Sequence, residues 1–167
     1  MATLSSLSDL YISELKDLWS ANDQMAKALK KIAPQATNAK LTQLLGEAQT
    51  GIADHTNLLK TLIANQGEEV SKEHCKGMEG LVSEALKHVL EDPPQNGPVL
   101  DALIIAQYQR MTHYGITGFG TVAAFANAPE LDDDSQQLKD AVDDLYDADE
   151  LMTELAEAAV NREAAEE

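Results

Sequence analysis

Four histidines, one cysteine and 29 acidic residues are the side chains of this 167-residue chain that could hold a metal or move a proton. A di-metal centre among helices needs a glutamate from each of two helices and a Glu-x-x-His pair from each of two others, all projecting inward. No Glu-x-x-His occurs in the chain. Where such ligands would be sought stand Asn22, Thr50, Gly51, Thr112, Gly115 and Leu145. A smaller set remains. Asp144 and Asp147 are three apart and share one helix face, and His55 lies on the apolar seam of another helix. Two aspartates and a histidine are a reasonable ligand set for a divalent ion such as iron or manganese. Asp54 projects about 100° away from His55 around the helix and could help only from the flank. The simpler reading is that Asp144 and Asp147 belong to a solvated acidic face and that His55 is a hydrogen-bonded histidine inside a bundle. No bound metal or cofactor is therefore expected, with His55, Asp144 and Asp147 as the residual metal candidates.

The remaining reactive side chains carry less. His113 shares the less apolar face of its helix with Arg110 and Thr117, and Glu84 and His88 form an i,i+4 surface pair. His74 could make an incidental metal or redox contact with its neighbour Cys75, whose small apolar side chain is expected to pack at the start of a helix. Glycine-rich phosphate loops, nucleophile elbows and zinc-protease motifs are all missing. No catalytic residue is assigned, and this argues against an enzyme.

Four long amphipathic helices must position these groups. The first is predicted over Leu7 to Ile32, capped by Ser6 or Ser8 and stopped before Pro34, with Leu4, Leu7, Tyr11, Leu18, Met25, Leu29 and Ile32 on its seam and Asn22 among them. The second follows Asn38 and runs to about Asn65, closed by Gly67. A connection of about 33 residues from Gln66 to Pro98 is too long to be structureless, and Cys75 to Glu91 within it has helical periodicity. The third long helix runs from Pro98 to about Ala126 through Leu100, Ile104, Met111, Tyr114, Val122 and Phe125. Its Gly115, Gly118 and Gly120 each cost roughly 1 kcal/mol relative to alanine and are best explained by a close neighbouring helix. Asn127, Ala128 and Pro129 are expected to turn the chain into a fourth helix from about Asp134 to Arg162.

At 44% hydrophobic residues the chain reads as one domain, residues 1–167, with an acidic tail at about 161–167. The net charge of −17 is concentrated at the C-terminal end: residues 130–167 carry −13, residues 1–129 only −4. Such a surface repels nucleic acid and anionic membranes and keeps the protein soluble. A basic partner or cation attraction would be a second use for it. With no apolar run of membrane-spanning length, no signal-peptide pattern and a single cysteine, the expected compartment is the cytoplasm.

Two tracts carry a family resemblance. Cys75-Lys-Gly-Met-Glu-Gly-Leu81 with Val82-Ser-Glu-Ala85, and Leu100-Asp-Ala-Leu-Ile-Ile-Ala106 leading to His113-Tyr114 and Gly120-Thr121, resemble the bacterial YciE/YciF stress-protein family, which has a ferritin-like fold. The Glu14-Leu15-Lys16-Asp17-Leu18 run and the Ala36-Thr37-Asn38 turn are similar as well, and the match covers about residues 5 to 160. The resemblance implies acidic ligands in segments that here read Ala21-Asn22-Asp23-Gln24, Thr50-Gly51-Ile52, Thr112-His113-Tyr114-Gly115 and Asp144-Leu145. Of the implied acidic positions only Asp144 is acidic. Unpaired buried carboxylates cost several kcal/mol each, so neutral replacements suit a scaffold that no longer binds metal.

The sequence thus predicts an all-α, ferritin-like four-helix bundle with an additional short crossover helix. It is expected to act through protein contacts as a homodimer, with Trp19, Tyr11 and Phe119 as interface aromatics, or alongside a further protein partner. The alternative is an iron- or manganese-binding ferritin-like oxidoreductase with a rearranged site.

Overall fold

A computed structural model describes residues 4–128 and 131–166. Helix α1 spans Leu7–Ile32, α2 Ala39–Asn65, α3 Lys76–Leu86, α4 Gly97–Asn127, α5 Asp132–Leu155 and α6 Asn161–Ala165. Single π-turns, Lys87–Glu91 and Ala156–Val160, extend α3 and join α5 to α6. No strand occurs among the described residues. Four long helices pack as a bundle with α3 on the crossover between α2 and α4, the expected fold class.

The helix ends follow the local sequence. Ser6 accepts the Asp9 N–H, while the Asp9 carboxylate accepts the Ser6 N–H, a reciprocal box that starts α1. Asn38 caps α2 through the N–H groups of Lys40 and Leu41, and Asn96 caps α4 through Val99. Gly67 follows α2 at φ +73°, a left-handed turn that glycine makes without strain. α5 begins at Asp132, two residues before the expected start, because Asp132, Asp133 and Asp134 suit the positive end of a helix dipole. Pro129, placed in the preceding turn by sequence, lies outside the described residues, as does Glu167 of the acidic tail. Most of that tail is the helical turn α6.

Two buried carboxylates fix the ends of the bundle. Asp101 at the start of α4 accepts the Thr37 N–H at 2.7 Å, the Thr37 hydroxyl at 2.6 Å and the Asn38 N–H at 2.9 Å, clamping the α1–α2 turn. At the other end Tyr11 and Gln66 donate to Asp134 Oδ2 at 3.1 and 3.3 Å. The crossover is tied to α1 because the Cys75 N–H donates to Ser20 Oγ and Gln24 donates to the Cys75 carbonyl.

The apolar core has two halves. One gathers Met25, Leu29, Ile52, Ile104, Tyr108, Met111 and Met152; the other gathers Tyr11, Leu15, Leu18, Leu59, Ile116, Phe119, Leu138 and Leu145. Along α1, α2 and α4 the residues at the change-over between them include Asn22, His55 and Thr112, all buried and polar. This mid-bundle layer is where inward ligands would meet.

Several expectations change. Tyr11 and Phe119 are fully buried core residues and cannot be interface aromatics, since each lies on a stripe enclosed by neighbouring helices. Trp19 is partly exposed, with the Lys60 ammonium 5.1 Å from its ring. Leu4 and Leu7, placed on the α1 seam by their heptad spacing, are exposed at 52% and 39% because they lie at or before the first turn of α1. Close packing explains Gly118, where a Cβ would stand 2.6 Å from Leu18 Cδ1, but not Gly120, which has nothing within 4 Å.

Candidate functional site

Helix α2 presents Leu44, Ala48, Ile52 and His55 at helical spacing, and α5 answers with Asp144, Leu145, Ala148 and Met152. Between them opens a cleft of about 240 Å³. Met25 of α1 and Tyr108 of α4 complete its floor. Glu47, Asp144 and Asp147 stand at its rim, and all three are exposed. The charged residues lining it are thus acidic, with His55 beside them.

His55 Nε2 lies 3.1 Å from Asp144 Oδ2. The carboxylate is a pure acceptor, so the ring nitrogen donates. The histidine side chain is 10% exposed and the aspartate 72%, so a buried imidazole is held by a solvated carboxylate. The opposite constraint on the ring is Phe119, 5.4 Å away centroid to centroid and tilted by 59°. Sequence reasoning named His55, Asp144 and Asp147 together, and the structure brings all three to one cleft. Asp54 is exposed and does not line it. Tyr108 was missed although it is one turn from both Ile104 and Met111, and that i−4, i+3 spacing was the available signal.

The residues do not fit a di-metal centre. Among the described residues no three His, Cys, Asp or Glu side chains are grouped as metal ligands. Asn22 Nδ2 and Thr112 Oγ1 are buried without a hydrogen-bond partner. Gly115 and Leu145, which face each other from α4 and α5, fill space rather than ligate: a Cβ on Gly115 would touch Leu145 Cδ1 at 3.5 Å. Thr50 is exposed and its hydroxyl turns back to the Gly46 carbonyl, while Gly51 opens onto the cleft.

A second groove, of about 380 Å³, runs along α1 and α4. Glu14 and Asp17 form one wall and Arg110, His113, Tyr114 and Thr117 the other. Burial, followed by the Asp17 charge, raises the Glu14 pKa. His113 is exposed, as expected, and pairs with Asp149 at 3.0 Å. Beneath the groove Cys75 Sγ lies 3.0 Å from the Tyr114 hydroxyl and caps α3 through the Met78 N–H. Burial raises the thiol pKa, and Cys75 is buried with its sulfur accepting the Met78 N–H as the cap of α3. His74 pairs with Glu79 and His88 with Glu84, both on the surface.

The comparisons agree with this architecture. A family profile described as a domain of unknown function, DUF892, matches residues 6–165. Protein YciF of Escherichia coli (strain K12) is 29% identical over 162 residues, covering 96% of each chain. The crystal structure of the E. coli stress protein YciF superposes with a TM-score of 0.87 at 27% identity, over 95% of this chain and 99% of that one. YcfI from Rhodopseudomonas palustris gives 0.85 at 29% identity, over 91% and 96% of the respective chains. Among the described residues, no helix is long and apolar enough to cross a membrane.

Proposed function

The chain belongs to the DUF892 family, and on that footing we propose that it is a stress-associated bundle of the YciF type that works through protein contacts, without a di-metal centre. What supports the metal-free reading is the packing of Leu145 against Gly115 in the middle of the bundle. The family resemblance implies carboxylates at both positions; a leucine side chain beside a glycine instead fills the volume that two carboxylates and their ions would need. The uncharged Asn22 and Thr112 in the same layer agree with it.

Homodimerisation is part of the proposal. The α1–α4 groove sets Glu14 and Asp17 against Arg110, a pattern of both signs that can complement itself under two-fold rotation. A dimer mass in sedimentation at micromolar concentration is expected, and a monomer would remove self-association from the reading. The compartment proposed is the cytoplasm.

Metal content tests the central claim. After incubation with iron(II) or manganese(II) and desalting, mass spectrometry is expected to find no stoichiometric metal. About two ions per chain, the complement of a carboxylate di-metal bundle, would overturn the reading. The competing iron- or manganese-binding oxidoreductase draws on one observation, the His55–Asp144 contact with Asp147 at the same cleft. It requires Asp144→Ala to lower metal content in a folded protein.

A further inference from the structure

We propose that the α2–α5 cleft is a binding site for a small amphipathic organic cation, an alkyl- or arylalkyl-ammonium. The inference rests on the metal-free reading above, since ions in the cleft would compete for the same carboxylates. Its floor is apolar, built from Met25, Ile52, Leu145 and Met152, and its volume of about 240 Å³ exceeds the roughly 150 Å³ of an apolar cavity that admits benzene. That is room for the body of a compact ligand. The rim offers Glu47, Asp144 and Asp147 with no lysine or arginine among the lining residues. A ligand that buries an apolar body and leaves a positive head among these carboxylates satisfies both parts of the site at once.

Gly51 is an independent observation. It lies well inside α2, where a glycine costs roughly 1 kcal/mol relative to alanine. Packing does not explain it, because a Cβ there would have nothing within 4 Å. Gly51 lines the cleft, so the open space beside it adjoins that volume and leaves room for a larger side chain. An inorganic divalent ion is a poorer occupant, since it demands several oxygen ligands, and the cleft groups no third ligand with His55 and Asp144. An ammonium head needs only charge and hydrogen-bond acceptors, which Asp147 and Glu47 supply while Asp144 holds His55.

The test is an amide NMR titration of the full chain with hexylammonium chloride, matched against 1-hexanol at constant ionic strength, on protein whose metal content has been measured. Saturable shifts should map to α2 and α5, with 1-hexanol binding at least about tenfold more weakly. Asp144→Asn combined with Asp147→Asn should weaken hexylammonium about fivefold per charge removed. Gly51→Leu should abolish binding by filling the cleft, and its amide spectrum reports whether it folds. The two aspartates are exposed, so their replacement keeps the test valid if the leucine variant does not fold. Equal affinity for 1-hexanol, shifts centred elsewhere, or undiminished binding in the double asparagine variant would each overturn the proposal. Bound metal in the starting protein would overturn the metal-free reading as well, whereas failure of binding in metal-free protein removes this inference alone.

Discussion

Replacing Gly51 by alanine should stabilise the protein, and the structure fixes the sign. The added Cβ meets no heavy atom within 4 Å, so the substitution carries no packing penalty. What remains is the helix preference of alanine over glycine and the smaller entropy lost on folding, together about 0.4–1 kcal/mol. For a chain of this size that corresponds to a rise in Tm of roughly 1–4 °C. Gly118→Ala is the internal contrast. Its Cβ would stand 2.6 Å from Leu18 Cδ1, and Leu18 is buried in the core, so the same helix gain is opposed by an overpacking cost of about 1–3 kcal/mol. Urea unfolding monitored by circular dichroism compares the two, with an unchanged m-value showing that the change lies in stability. If Gly51→Ala were neutral or destabilising, or ranked below Gly118→Ala, the wall of the cleft would be closed at this position.

Asp101→Asn keeps the shape but replaces a carboxylate that accepts three hydrogen bonds by an amide that cannot accept them all; a loss of about 2–4 kcal/mol in denaturant unfolding is expected, and less than 1 kcal/mol would refute the clamp. Phe119→Ala should cost about 3–5 kcal/mol as a core truncation and leave the sedimenting mass unchanged, whereas an interface role would move the mass first. Glu14 titrates above the ordinary carboxyl range because burial and then Asp17 disfavour its charge. The folded state therefore holds this proton more tightly than the unfolded chain, so its contribution to stability is complete below the unfolded pKa and is lost as pH rises through the folded one. Glu14→Gln should accordingly raise Tm relative to the parent at pH 7 and show no such gain near pH 3. An offset independent of pH would refute that assignment.

The helices and their order were legible from one dimension. Ser6, Asn38, Gly67 and Pro98 mark ends because capping, left-handed turning and first-turn proline are local properties of the backbone, and α1 and α2 begin and end where those residues place them. Seam periodicity also placed His55 inward, and spacing put Asp144 and Asp147 on one face. Local rules failed where burial depends on a distant segment. Phe119 carries no sequence mark separating a core aromatic from an interface aromatic, and the α1 seam that holds Tyr11 could face a core or a partner until the other helices are placed; the packing of α1, α2, α4 and α5 encloses both. Likewise, Gly115, Gly118 and Gly120 look alike in sequence, yet a Cβ would crowd Leu18 of α1 at Gly118, make an ordinary contact with Leu145 of α5 at Gly115, and meet nothing at Gly120. Sequence alone determined the helical scaffold and the lack of inward Glu-x-x-His ligands, since both are written in residue type and spacing. Tertiary structure alone decided that His55 and Asp144, 89 residues apart, meet at 3.1 Å beside an open cleft, because the register between two packed helices is set by the whole bundle.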